Sequence, residues 1–356
     1  MSFKYTDIVD KLEVELMKMR QDGSVRLPSE KELCARFDCS RQTVRSALTV
    51  LESRGLIVRR KGSGSYLADT GFLRNSTVVF ITEDEDRYIY PVLISQLRYL
   101  LQKNKYSLKC LGTSGTIRGE REQLVRALEE KPAAVIIDPL RNVIPNPNLG
   151  LIEEIAASGV PVVYLFTSYP VPVPEDAVIV SEDNEEGAQV LVRYLAEKGH
   201  RKIAGVWRGD DSRGLQRLSG FMKACTDLDL PCDESDYFLF SDREQHELTW
   251  EGRSFIPRFI DECLGDHDAV ICQNDIIAHR LIVELGNRGI SVPGDVAVVS
   301  FDDSYYATLG NDRITSLGHG EHAVSSALAE TVVAVAERRL VKTEPLKWVL
   351  HIRNSG

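Results

Sequence analysis

No apolar run in this 356-residue chain approaches the ~18 residues that a membrane-crossing helix requires. The seven cysteines (Cys34, Cys39, Cys110, Cys225, Cys232, Cys263 and Cys272) are odd in number and scattered, with no C-x-x-C or zinc-like grouping. That excludes a zinc ribbon or a dithiol redox motif and leaves reduced core thiols. His319 and His322 have the i,i+3 spacing that metals use, but no third ligand accompanies them, so no metal is expected. No repeat at a fixed period and no low-complexity tract occurs. Nucleophile elbow, P-loop and a G-x-G-x-x-G opening a helix after a strand are all missing, so neither an enzyme nor a cofactor is expected. The first twenty residues are charged and amphipathic without an apolar core, which leaves no secretion signal and makes the cytoplasm the expected compartment.

What is present is enough chain for two or three domains, with an ordinary globular balance of 43% hydrophobic and 27% charged residues. The net charge of −10 excludes a protein that coats nucleic acid over its whole surface. The average hides an asymmetry: residues 1–70 hold 13 basic and 10 acidic side chains, and residues 25–66 hold nine basic to four acidic. Positive charge is therefore concentrated in the first segment.

That segment reads as helices with a short hairpin behind them. Ile8, Val9, Leu12, Leu16 and Met19 recur at helical spacing. Ser29 with Glu32 forms a capping box that opens a second helix, with Leu33 and Phe37 as its buried stripe. Ser40 caps a third, lined by Val44, Leu48 and Leu51 and stopped at Gly55. Two strand patterns, Leu56–Arg59 and Ser65–Ala68, flank a glycine-containing tip. Residues 69–76 read as a linker. Beyond them, strands expected at about 77–82, 106–112, 133–138, 161–166, 202–207, 268–272 and 296–301 alternate with helices at about 91–103, 118–130, 149–158, 184–198, 250–264 and 274–288. A last helix at 321–341 and a strand at 347–353 follow. Such alternation predicts doubly wound parallel sheets, with ligands at the carboxyl ends of the strands.

The stretches Leu27-Pro-Ser-Glu-Lys-Glu-Leu33, Phe37-Asp-Cys-Ser-Arg-Gln-Thr-Val-Arg-Ser-Ala-Leu48 and Arg59-Arg-Lys-Gly-Ser-Gly-Ser65 closely resemble the GntR-type winged helix-turn-helix. Cys39 and Ser65 depart from its usual Val and Thr. The start of a recognition helix reaches base edges in the major groove, which singles out Ser40, Arg41, Thr43 and Arg45. Arginine there can bond guanine O6 and N7 bidentately. The resemblance implies a phosphate or base contact for Lys31. Arg59, Arg60 and Lys61 supply phosphate charge, and Gly62 allows close backbone approach at the wing tip. A solvated basic face on a small bundle is the plainer alternative.

From about residue 76 onward, Gly159-Val-Pro-Val-Val-Tyr164, Val180-Ser-Glu-Asp-Asn-Glu-Glu-Gly-Ala188, Leu195-Ala-Glu-Lys-Gly-His-Arg-Lys-Ile-Ala204, Arg217-Leu-Ser-Gly-Phe221, Ala269-Val-Ile-Cys-Gln-Asn-Asp275 and Gly289–Asp303 look like the LacI/GalR sensor, a relative of periplasmic sugar-binding proteins. A GntR-type head with this sensor resembles the arabinose-repressor architecture. The expected division is residues 1–68, a linker at 69–76, and a sensor at 77–356. The sensor's first lobe is expected at about 77–168 and 303–319, its second at about 169–302 and 320–356.

The resemblance implies an interlobe cleft in which Arg217 clamps ligand hydroxyls with its planar fork and Asn274 and Asp302 hydrogen-bond a sugar. Trp250 is placed as a stacking platform and Asp84, in the Thr82–Asp86 loop, as a further lining residue. Phe166 stands where some members carry an acidic contact, and Ile276 where some carry Gln. Plainer readings stay open beside these: a polar turn for Asp302, a helix N-cap for Asn274, a core position for Trp250. The expected whole is a regulator, a repressor in the first instance, that binds a pseudo-palindromic operator as a homodimer, is released by a small carbohydrate and has no membrane partner. Leu93, Leu97, Leu100 and Leu101 are candidates for its dimer contact or, equally, for core.

Overall fold

The structure is a computed structural model that describes residues 8–9, 11–12, 15–16, 19, 26–53, 57–60, 63–67, 76–170, 177–251, 254–310 and 313–356. It divides into two units, 1–76 and 77–356.

In the first unit, α1 (Glu30–Phe37) and α2 (Arg41–Ser53) are followed by β1 (Ile57–Arg60) and β2 (Gly64–Leu67). The two strands pair antiparallel from Ile57↔Leu67 to Arg60↔Gly64. The Ser29 capping box is present, with both backbone and side-chain bonds to Glu32. Asp38 at the end of α1 adopts a left-handed φ of 47°, which turns the chain sharply towards α2. Ser40 caps α2 by accepting from the Thr43 N–H at 3.2 Å. Ile8, Leu12 and Leu16 join Leu33, Phe37, Val44, Leu48, Leu51 and Ile57 in one buried core, so the apolar stripes read from the sequence face one another.

The second unit holds two parallel sheets. The first has strand order β4-β3-β5-β6-β7, from β3 (Thr77–Thr82), β4 (Ser107–Gly112), β5 (Ala134–Ile137), β6 (Val162–Phe166) and β7 (Val178–Ser181). The second has order β13-β12-β11-β10-β8-β9, from β8 (Ile203–Arg208), β9 (Tyr237–Phe240), β10 (Ala269–Cys272), β11 (Ala297–Phe301), β12 (Thr315–Gly318) and the antiparallel β13 (Val349–His351). Nearly every residue of β3, β5, β8, β10 and β11 is buried, because helices cover both faces of a parallel sheet.

The lobes divide differently from the expectation. β7, expected in the second lobe, pairs with β6. β12, expected in the first, pairs with β11 from Val299↔Thr315 to Phe301↔Leu317. The helix Ala323–Ala336, placed in the second, packs Leu328, Ala329 and Val332 against Val78, Phe80 and Val163 of the first sheet. The chain consequently crosses between lobes three times, at 182–183, at 319–322 and at 337–348. β7, β9 and β12 escaped the sequence reading: β7 and β9 are short and only partly buried, and β12, Thr-Ser-Leu-Gly, is largely polar. The expected helix at 250–264 is broken into shorter turns, with Pro257 starting a new one at Ile256–Phe259. Leu93, Leu97 and Leu101 are buried in the core of the first lobe and Leu100 is packed against it, so this row serves the core rather than a dimer contact.

One helix that positions the site was missed altogether: Ser212–Asp227, here α7, counting α3 (Tyr90–Lys103), α4 (Ile117–Glu130), α5 (Leu149–Ala157) and α6 (Asn184–Glu197) before it. Gly214 and Gly220 both lie within it, and isolated glycines weaken a helical pattern. In the structure they permit close approach. A Cβ on Gly214 would lie 2.0 Å from the Arg208 carbonyl oxygen, and one on Gly220 2.1 Å from that of Glu185 in α6. Gly220→Ala is therefore expected to lower stability by about 1–3 kcal/mol or more, read as a lower urea midpoint at unchanged slope. An unaltered midpoint would mean the α6–α7 spacing gives way freely.

Candidate functional site

Between the lobes lies a small cavity of about 90 Å³. Its walls come from carboxyl ends of strands, where open α/β sheets take their ligands. Glu83 and Asp84 follow β3, Asp138 follows β5 and Phe166 ends β6. In the second lobe Arg208 ends β8, Gln273 and Asn274 follow β10, and Asp302 follows β11; Arg213 and Arg217 reach in from α7. Phe166 and Asp302 have φ of 64° and 94°, a backbone strain that ligand clamps tend to concentrate.

Six carboxylates (Glu83, Asp84, Asp138, Glu182, Asp211, Asp302) face four guanidiniums (Arg87, Arg208, Arg213, Arg217) around this cavity. Each guanidinium already has an acidic partner. Arg87 pairs with Glu83, and Arg208 with Asp210 and Asp242 at 2.9 Å each. Arg213 grips Asp211 with Nε at 3.0 Å and Nη2 at 2.8 Å. Arg217 donates from Nε to Asn184 at 2.8 Å and from Nη1 to the Gln273 carbonyl at 2.5 Å, while Nη2 sits 3.5 Å from Asp302 and 3.8 Å from Glu182. Its guanidinium lies 3.9 Å from the Phe301 ring centroid, a cation–π contact. Two buried polar atoms on the wall have no partner among the described residues: Nη2 of Arg87 and Oδ1 of Asp138, whose other oxygen accepts from Tyr90 Oη. They leave one donor and one acceptor unused.

Burial pushes the Asp138, Asp302 and Glu83 carboxyls above the usual range, against the pull of neighbouring arginines. Burial also raises Asp211 and Glu182, but is overcome: Arg213 holds Asp211 far below the carboxylate range, and His319 and Arg217 hold Glu182 below it. Behind Asp302, Asp275 is fully buried and pushed up to about 7, by burial first and by the Asp302 charge second. It accepts from Ser300 Oγ, from Ser316 Oγ at 2.7 Å and from the Ser304 N–H at 2.6 Å. A carboxyl raised above its unfolded value contributes stability that is complete below about pH 4 and lost as pH rises through about 7. The sensor's melting temperature should thus fall between pH 5 and pH 8, and Asp275→Asn should flatten that slope in a thermal denaturation series. An equal slope in the variant would place the titration elsewhere.

Arg217, Asn274, Asp302, Asp84 and Phe166, singled out from the sequence, all line this one cavity. Asn274 caps the helix Asp275–Asn287 as well, accepting from the Ile277 N–H at 3.1 Å. Asp84 accepts from the Asp86 N–H at 2.9 Å. Phe166 lies under the Arg213 guanidinium, 5.6 Å from the ring centroid. The side chain of Trp250 lies outside the described residues. The sequence reading missed Arg208, Asp211 and Arg213, although a charged run directly after a buried strand was the signal available. It also missed Arg87, Tyr88, Tyr90 and Asp138. Asn142 and Thr167 of the first lobe meet Ser212 of the second, through the Ser212 N–H at 2.6 Å and the hydroxyls at 2.8 Å, which draws the walls together.

On the first unit, Lys31, Ser40, Arg41 and Arg45 are exposed and Thr43 half-buried. Arg45 pairs with Glu30 at 3.1 Å, and Arg59 with Glu30 at 3.1 Å and Glu52 at 3.9 Å. Thr43 Oγ1 bonds Ser40 Oγ at 2.8 Å. The Arg60 side chain, Lys61 and Gly62 lie outside the described residues.

Residues 4–67 match the family model of bacterial regulatory proteins of the gntR family, and residues 192–355 match that of a periplasmic binding protein-like domain. The chain is 28% identical over 342 residues to the arabinose metabolism transcriptional repressor of Geobacillus stearothermophilus, covering 95% of this chain and 92% of that one. The repressor of the same name from Halalkalibacterium halodurans is 23% identical over 345 residues, covering 95% and 90%. Among solved structures, the transcriptional regulator CelR–cellobiose complex superposes with a TM-score of 0.68 at 22% identity, covering 89% of this chain and 90% of that one, a likeness of fold. No helix among the described residues is long and apolar enough to cross a membrane. The chain thus joins a gntR-family helix-turn-helix head to a two-lobed periplasmic-binding-protein-like domain, the architecture of the arabinose repressors.

Proposed function

We propose that this chain is a non-catalytic, cytoplasmic repressor that holds a pseudo-palindromic operator as a homodimer and releases it when a small neutral carbohydrate binds between the sensor lobes. The observation that carries the reading is the interlobe cavity, with an unused guanidinium donor on Arg87 and an unused carboxylate acceptor on Asp138. A hydroxyl both donates and accepts, so it can satisfy both. The lining already has more carboxylates than guanidiniums. A phosphorylated sugar or sugar acid would add negative charge to a low-dielectric site with no uncommitted cation, which disfavours it. Arabinose, in the names of the two relatives, is the first candidate.

Allosteric release requires only that the sugar favour one arrangement of the lobes; the shift equals its differential affinity for the two states. The test is a thermal-shift screen of pentoses, hexoses, polyols, sugar acids and sugar phosphates, followed by operator binding with and without each hit. A neutral monosaccharide should raise the melting temperature and weaken operator binding. Stabilisation only by anionic sugars, or none by any, refutes this reading of the cleft.

A further inference from the structure

The three crossings between lobes meet at one side chain. Glu182 follows β7 at the first crossing, His319 follows β12 at the second, and Lys347-Trp348 end the third. His319 Nε2 lies 2.9 Å from Glu182 Oε1 and Nδ1 lies 2.9 Å from the Lys347 carbonyl oxygen. Both partners are acceptors only, so both ring nitrogens must carry protons and His319 is an imidazolium. Its ring stacks on Trp348 with centroids 4.2 Å apart, and Trp348 Nε1 donates to the Asp183 carbonyl at 2.5 Å. Leu346 N–H donates to the Ser181 carbonyl at 2.8 Å, closing the junction of first and third crossings. The other oxygen of Glu182 faces Arg217 in the cleft.

We propose that His319, which does not line the interlobe cavity, is a positioning residue for the effector: its imidazolium holds the Glu182 carboxylate against Arg217 and so fixes the cleft's recognising guanidinium to the hinge. The assignment rests on the reading of the cleft as a sugar site. Without the imidazolium, Glu182 loses its nearer charge partner and the Lys347 carbonyl or the carboxylate loses its donor. Arg217 is then anchored by Asn184, Gln273 and Asp302 alone, and the second and third crossings lose their shared contact.

The surroundings of His319 define the pH behaviour. Glu182 precedes α6, Arg217 stands on α7, and Asp302 and Asp303 follow β11. Glu321 and His322 lie on its own segment, with Lys347, His351 and Arg353 on the last. Asp303 is taken up by Arg353 at 2.5 Å and lies 3.3 Å from His351. Burial disfavours the charged ring, but Glu182 outweighs it and holds the His319 proton above the ordinary histidine range. A second cavity, of about 370 Å³, is lined by His319, Glu182, Asp302 and His322. A raised value means the clamp is complete at low pH and lost as pH rises through it. Asp275 is pushed up to about 7, inside the same pH series, so only the difference between wild type and a His319 variant isolates the effect.

The experiment is calorimetric titration of the full chain with arabinose from pH 6.5 to pH 9, for wild type and His319→Gln, with Arg217 side-chain 15N resonances recorded for both. His319→Gln should bind at least ten-fold more weakly at pH 6.5, with the gap closing towards pH 9 and the Arg217 resonances displaced. Equal affinity throughout, or a gap that does not change with pH, overturns the assignment. If wild type binds no monosaccharide, the reading of the cleft falls, and the Arg217 resonances alone decide: displaced supports positioning, unmoved overturns it. Should His319→Gln not fold, Glu182→Gln, which keeps side-chain size and removes the charge, is read by the same criteria.

Discussion

Arg217→Ala is expected to abolish the sugar response while leaving operator binding without sugar within about two-fold of wild type, since most substitutions act locally and ΔΔG values at distant sites are independent. The guanidinium is buried, engages α6, β10 and Asp302 at once, and stacks on Phe301. Its planar fork gives a pair of vicinal hydroxyls two parallel donors. Removing it also takes away the guanidinium that both Glu182 and Asp302 face, so the variant should be less stable at pH 8 than at pH 6, where Asp302, already raised by burial, takes up a proton more readily. Fluorescence anisotropy on an operator duplex, with sugar titrated to saturation of the wild type, gives the answer. A full release by sugar in the variant would remove Arg217 from the site. Arg217→Lys separates charge from geometry: a restored pH 8 stability with no restored sugar response would assign the loss to the missing fork.

The helix caps of the head and its apolar stripes were legible because they are local. Ser29 and Glu32, or Ser40 and Thr43, lie three residues apart and settle their own geometry. The principal strands were legible because a buried parallel strand must be apolar throughout. The division into lobes was not, because it depends on which strand lies beside which. β12 is Thr-Ser-Leu-Gly, too short and too polar to announce its partner, and its place is fixed by pairing with β11. The site was half legible for the same reason. Arg217, Asn274 and Asp302 sit in stretches that resemble a known sensor. Arg87, Asp138 and Arg213 do not, and become neighbours only when the two lobes close on them. The hinge contact of His319 with Glu182 joins residues 137 apart in the chain, and no spacing rule reaches that far.

Within the head, Arg41→Ala should cost at least about five-fold in specific operator affinity, in keeping with about 1–3 kcal/mol for a bidentate arginine–guanine pair. The three exposed or half-exposed arginines of this face differ in their availability. Arg45 and Arg59 share Glu30, and Arg59 also approaches Glu52, so each must leave an intramolecular ion pair before it meets DNA. Arg41, in the first turn of α2, is exposed, and its side chain makes no hydrogen bond or ion pair with a described residue. It stands at the amino end of the helix, the end that enters the major groove in this kind of head. A base reader and a phosphate binder are told apart by salt. Loss of a phosphate contact lowers the slope of log K against log salt by about one and weakens all sequences alike, whereas loss of a base contact leaves the slope and relaxes preference at one position. Arg41→Ala is expected to behave in the second way and Arg59→Ala in the first. Binding isotherms at several salt concentrations, on the operator and on single-position variants of it, measure both quantities. An Arg41→Ala protein with unchanged base preference and a slope lower by one would reassign Arg41 to the backbone, and would shift the reading of bases to Arg45 once Glu30 has released it.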